Sequence, residues 1–344
     1  RRRADPALGV PQLLRREVTP HAAPASGPLT LAEVEAAARR VYAAMLPTPQ
    51  VAWPLVARRA GTEVWVKHEN HTPTGAFKVR GGLNLLGQFA DSPAPPAGVA
   101  SATRGNHGQS LAYAARRHGL ACTIVVPHGN SRSKNAAMRA YGAELIEHGR
   151  DFDEARVHAH EVARERGLAF VGPFERPLVA GVATCALELF RAVAGRDRVY
   201  VPIGCGSGIC GLIGVRDALG LSTAIVGVVS TGANAYAQSF RARSPIQTPS
   251  AVTMADGMAV RVPVPAALEI LWRGAEDVIE VDDAAIGEAM RALFDDAHQV
   301  AEGAGAAPLA ALLADPARAG RRCAVVLSGG NVDRDVYRDV LAGA

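Results

Sequence analysis

Aromatic residues are scarce in this chain, 5% of 344, and no apolar stretch reaches the ~18 residues that cross a bilayer. A helical membrane span is excluded on that ground, and the first residues lack the apolar segment of a secretory leader, so no membrane partner is expected. Neither sign of charge dominates: 37 Lys and Arg stand against 33 Asp and Glu, net +4, and the nearest thing to a basic run is Arg1-Arg2-Arg3. So balanced a surface speaks against a nucleic-acid partner. The five cysteines, Cys122, Cys185, Cys205, Cys210 and Cys323, form no C-x-x-C and no Cys/His pairing at zinc spacing. A disulfide scaffold is thereby excluded, and a reducing, cytoplasmic setting is expected. What the sequence does have is apolar mass, 49% hydrophobic. That suffices for a large core, and a length above ~250 residues predicts its division into two lobes.

Residues 1–29 carry Pro6, Pro11, Pro20, Pro24 and Pro28 without apolar periodicity and predict an extended arm. Thr30 with Glu33 has the spacing of a capping box, opening an amphipathic helix that ends before Pro47. Val64-Trp65-Val66-Lys67 predicts a short strand followed by a turn-rich stretch. From residue 98 short apolar strands alternate with helices: Val99 to Ala102, then Gln109 to His118; Cys122 to Val126, then Lys134 to Tyr141; Glu144 to Ile146, then Asp151 to Arg166. The alternation resumes at Val199 to Pro202, Ala224 to Val229 and Cys323 to Leu327. Such a pattern predicts an α/β fold with parallel sheets covered on both faces, whose chemistry lies in the loops after the strands.

One of those loops, Gly206-Ser207-Gly208-Ile209-Cys210-Gly211, formally satisfies the dinucleotide fingerprint G-x-G-x-x-G. A dinucleotide also needs a carboxylate at the end of the next strand to hold the ribose, and that strand ends in Ser230-Thr231-Gly232. No Gly-Lys-Ser/Thr follows, so a Walker loop is excluded. The reading favoured over a dinucleotide site or a structural turn is a phosphate cradle, backbone N–H groups of residues 204–208 converging at a helix start.

A lone lysine is ordinarily a solvated surface charge. Lys78 instead lies between Phe77 and a glycine-rich helix start in Glu69-Asn70-His71-Thr72-Pro73-Thr74-Gly75-Ala76-Phe77-Lys78-Val79-Arg80-Gly81-Gly82. This segment resembles the cofactor-lysine motif E-N-x-x-x-T-G-[SA]-F-K-x-R-G of the fold-type II pyridoxal-phosphate enzymes, specifically the serine/threonine dehydratase group. Further resemblances follow in the family's order: Gly105-Asn106-His107-Gly108-Gln109 to its asparagine loop, residues 204–209 to its tetraglycine phosphate loop, and Ala255-Asp256-Gly257 to its A-D-G turn. Glu302-Gly303 is similar to its E-P or E-G position and Ser328-Gly329-Gly330-Asn331 to its S-G-G-N segment.

The resemblance implies a two-lobed, tryptophan-synthase-β-like architecture. It comprises a large pyridoxal-phosphate-binding domain over residues 30–97 and 176–344 and a small inserted α/β domain over 98–175. It implies that Lys78 binds the cofactor covalently and returns as base at Cα, that Phe77 packs beside the ring, and that Asn106 donates to the phenolic oxygen. Residues Thr103, Arg104, Gly105, Asn106 and His107 would take the substrate carboxylate, Gly204, Cys205, Gly206, Ser207 and Gly208 the phosphate, and Ser328 the ring nitrogen. A homodimer is implied as well. Two departures count. Arg104 replaces the Ala usual in dehydratases and the Ser that serves racemases as second-face acid/base, which argues against racemisation. Val229, Ala233 and Ala235 replace the residues that bind a divalent cation, so no metal is expected there. The chain also ends soon after Ser328, which implies a catabolic type without a regulatory domain.

The expected activity is that of a pyridoxal-phosphate-dependent ammonia-lyase, converting a β-hydroxy-α-amino acid to a 2-oxo acid and ammonia. Arg104 can fork onto a carboxylate, stack on an aryl ring or pair with the cofactor phosphate. It therefore points to a substrate larger than serine, such as phenylserine. The alternatives are a 3-hydroxyaspartate ammonia-lyase and a β-replacement enzyme on the same cofactor.

Overall fold

The computed structural model of the protein describes residues 27–192 and 195–343. The expected arm lies outside the described residues except at Gly27, Pro28 and Leu29, where Arg176 donates to the carbonyls of Gly27 and Pro28. The capping box forms as read. Thr30 accepts from the Glu33 amide and Glu33 reaches back to the Thr30 amide, starting the helix Leu31–Tyr42.

Ten strands follow among the described residues: β1 (Gln50–Ala52), β2 (Val64–His68), β3 (Gly98–Ala102), β4 (Ala121–Val126), β5 (Glu144–Glu147), β6 (Ala169–Phe170), β7 (Arg198–Pro202), β8 (Ala224–Ser230), β9 (Asp277–Val281) and β10 (Cys323–Leu327). They form a six-stranded sheet, β1-β2-β10-β7-β8-β9, and a four-stranded one, β5-β4-β3-β6. Every pairing is parallel except β1 with β2. Strand β10, last in sequence, sits centrally, with Leu327 opposite His68 of β2. This places the end of the chain's last strand beside the loop that leads to Lys78. The inner strands are buried on both faces, and β3, β10 and nearly all of β8 are wholly apolar or small. Such runs suit parallel strands covered by helices.

The lysine-bearing helix, Lys78–Ala90, bridges the lobes. Its Val79, Leu83, Leu85 and Leu86 pack with Val99, Leu111 and Ile124 in the core of the four-stranded sheet. Gly81 faces the backbone of Leu178 on the helix Arg176–Ala192, where a Cβ would sit 3.0 Å from the Leu178 carbonyl oxygen. The carboxyl ends of β2, β3, β7 and β10 consequently open on one crevice between the sheets, where ligands of open α/β sheets bind.

Candidate active site

Lys78 begins its helix directly after a backbone bridge. The Phe77 amide donates to the Ser328 carbonyl at 2.9 Å, the Gly330 amide to the Gly75 carbonyl at 2.9 Å, and Ala76 pairs with Gly329. Gly75 is required here twice. Its φ is +69°, and a Cβ would meet Asn331 Oδ1 at 2.6 Å. From the other side Ser110 donates to the Lys78 carbonyl at 2.6 Å. The Lys78 amine is thus fixed at both flanks, and it donates to Ser207 Oγ at 2.8 Å. Its pKa is lowered by burial. A buried amine that releases its proton readily is a nucleophile, which suits attack on an aldehyde carbon.

The glycine loop follows β7 and ends in the helix Ser207–Ala218, with Gly206 as its N-cap at φ +96°. The loop has no room for side chains at two of its glycines: a Cβ on Gly204 would lie 2.3 Å from the Gly257 carbonyl, and one on Gly206 would lie 2.7 Å from Ala267 Cβ. Phe77 lies 3.4 Å from where a Gly208 Cβ would stand. Residues 204–208 therefore present backbone at the start of a 12-residue helix whose first amides have no intrahelical acceptor. Cys205 and Ser207 add side chains to that cradle. Burial pushes the Cys205 thiol up, so it stays protonated beside Lys78.

The loop after β3 brings the third part. Thr103 is buried, donates its amide to Val125 and accepts from the Gly105 amide at 2.9 Å. The helix then begins at Asn106, three residues earlier than the sequence predicts, because Gly105, at φ +155°, turns the chain into it as N-cap. Asn106 donates to Glu302 Oε1 at 2.6 Å and accepts from Asn331 at 2.9 Å. His107 is buried, and its Nε2 has no hydrogen-bond partner among the described residues. Burial, with the charge of Lys78 second, drives its pKa down to about 3, so the ring is neutral. Ser328, at the end of β10, is buried. Arg104 differs from these: it is exposed, with no ion pair or hydrogen bond among the described residues.

Sequence reasoning missed Lys134. It is buried on the helix Arg132–Ala140 and donates to both Asp256 oxygens at 2.9 and 2.6 Å, with Glu302 at 3.3 Å. The residue that betrays it is Gly105, whose Cβ would meet the Lys134 side chain at 2.3 Å. Glu302 and Asp256, noted only as motif letters, are its partners. At Val229, Ala233 and Ala235 the structure offers buried hydrocarbon.

A nucleophilic amine, a backbone anion cradle and a buried imidazole whose Nε2 has no partner among the described residues together fit pyridoxal phosphate. The pyridoxal-phosphate dependent enzyme family matches residues 41–329. The chain is 37% identical to the L-threonine ammonia-lyase of Geobacter sulfurreducens over 279 residues, 80% of this chain and 69% of that one. Among solved structures, a threonine deaminase from T.th. superposes with a TM-score of 0.83 at 32% identity, covering 89% of this chain and 99% of its own. A pyridoxal 5'-phosphate-dependent aspartate racemase does so at 0.85 with 28% identity, covering 89% and 97%. The chain belongs to the fold-type II pyridoxal-phosphate dependent enzymes, with pyridoxal phosphate as its cofactor.

Proposed function

We propose that the protein is a carbon–oxygen lyase that removes the β-hydroxyl and the amine of a β-hydroxy-α-amino acid, giving a 2-oxo acid and ammonia. The observation that carries this is Lys78, a buried amine without a carboxylate partner among the described residues, set 2.8 Å from Ser207 at the mouth of the glycine loop. Bound there, pyridoxal phosphate supplies an electron sink for the pair released at Cα. Burial disfavours the charged form of the amine, so Lys78 would hold the cofactor and, as a free neutral amine, would accept the Cα proton. The start of the helix Asn106–His118 would offer amides to the substrate carboxylate, and the neutral Ser328 hydroxyl would be the partner of the cofactor's ring nitrogen. Arg104, at the rim of the same loop, is assigned to a larger β-substituent, aryl in preference to carboxylate. The names of the threonine-acting relatives support the reaction, and the absence of serine at position 104 argues against racemisation. The same reading takes residues 30–97 with 176–344 and residues 98–175 as the two domains, and the assembly as a homodimer.

The test is Lys78→Ala. Ammonia release from threonine, serine and phenylserine should fall below detection, together with the near-visible absorbance of the bound cofactor, because no other group can both bind it and return as base. A wild-type rate in the variant would overturn the assignment.

A further inference from the structure

Tyr236 is fully buried on the helix Ala235–Ala242, just beyond β8, in the apolar cluster that also holds Val229, Ala237 and Ala267. Its hydroxyl makes two hydrogen bonds. It donates to the Cys205 carbonyl at 3.1 Å and accepts from the Val264 amide at 2.9 Å. The first bond lands in the middle of the phosphate loop. A trans peptide unit is planar and points its C=O and its N–H in opposite directions. Drawing the Cys205 carbonyl toward Tyr236 therefore aims the next N–H, that of Gly206, away from Tyr236. The second bond fixes the hydroxyl by tying it to the segment whose Gly257 carbonyl already presses on Gly204. The loop's φ of +96° at Gly206 permits this orientation without enforcing it, because glycine populates other wells as readily.

We infer that Tyr236 is the positioning residue of the phosphate cradle: its hydroxyl sets the Cys205–Gly206 peptide so that the Gly206 amide is presented to the cofactor phosphate. The inference rests on the reading that residues 204–208 hold that phosphate. It predicts an effect on the phosphate end of the cofactor alone. Equilibrium dialysis of the full chain should show Tyr236→Phe weakening pyridoxal phosphate about tenfold while changing the affinity for pyridoxal, which lacks the phosphate, less than twofold. Val264→Pro removes the amide that holds the hydroxyl; its φ of −73° suits proline, and the variant should shift the same ratio in the same direction. Should Tyr236→Phe fail to fold, Val264→Pro decides alone. Equal weakening of both ligands, or no change in either, overturns the inference. A wild-type chain that binds no pyridoxal phosphate would instead sink the cofactor assignment beneath it.

Discussion

Two ion clusters flank the lysine loop, one fully buried and one open at Asp256, and their charges are counted differently. Behind it, Lys67 and Arg80 face Glu69 and Glu188, two cations against two carboxylates, with every side chain at most 7% exposed. Arg80 takes both oxygens of both carboxylates and two threonine hydroxyls besides, Thr48 and Thr184. In front of the loop, across the lobe boundary, Lys134 alone faces Asp256 and Glu302. The balanced cluster is closed and holds Glu69 in its charged form, its pKa lowered against burial by Arg80. The unbalanced one leaves a surplus carboxylate, and burial, with Asp256 adding to it, raises the pKa of Glu302. The first arrangement fixes the start of the Lys78 helix; the second stores a proton site against Asn106. Residues expected to have chemistry sit on the unbalanced side.

The sharpest way to break this contrast is Glu69→Gln. Removing one carboxylate leaves Arg80 and Lys67 against Glu188, all at most 7% exposed to solvent. The expected loss is about 3–5 kcal/mol, the scale of an uncompensated buried ion. Denaturant unfolding reads it directly, and a loss under about 1 kcal/mol, the range of an exposed ion pair, would show that the cluster is not closed.

Glu302→Gln should act in the opposite direction and by less. The folded pKa of Glu302 lies above the unfolded value of 4.5, so the folded protein binds the proton more tightly. Stability of the wild type therefore falls as pH rises from 4.5 through the folded pKa, and the penalty is complete above it. Glutamine carries no such penalty. The variant should melt higher than wild type at about pH 8, with the difference shrinking toward zero on acidification. A variant that melts lower under those alkaline conditions, as Glu69→Gln should at any pH above the Glu69 titration, would make the two clusters equivalent.

The contrast also marks what could be read before the fold was seen. Lys78, the glycine loop and Ser328 lie in contiguous segments that resemble family motifs, and the structure brings all three to one crevice. Glu69 and Arg80 were visible only as motif letters; their reason is the ion cluster, which Glu188 completes from a helix that reads as apolar packing. Lys134 was invisible because its partner Asp256 is 122 residues away and Glu302 further still, and no local pattern encodes such contacts. Strand β1 was missed for a different reason. Three residues, Gln50–Ala52, are too short for an alternation to show, and the strand exists only because β2 offers an edge.

The smallest expected effect belongs to Arg104→Ala. The side chain is exposed and makes no protein contact among the described residues, so its removal should leave folding stability within about 0.5 kcal/mol of wild type. Its neighbours are not idle: Thr103 and Gly105 shape the start of the helix that begins at Asn106, and Gly105 closes on Lys134. A guanidinium one residue from that loop can reach a substrate's distal group without any tie to the protein, and it then acts on binding alone. Solvent screening trims a charge-assisted contact there to about 1 kcal/mol, roughly fivefold in kcat/KM. The loss should fall on phenylserine and spare serine, which is too short to meet it. Equal losses on both substrates would move Arg104 to the cofactor phosphate, and no loss on either would leave it to solvent. Measured beside Glu69→Gln, the result separates a charge that holds the site together from one that only chooses what enters it.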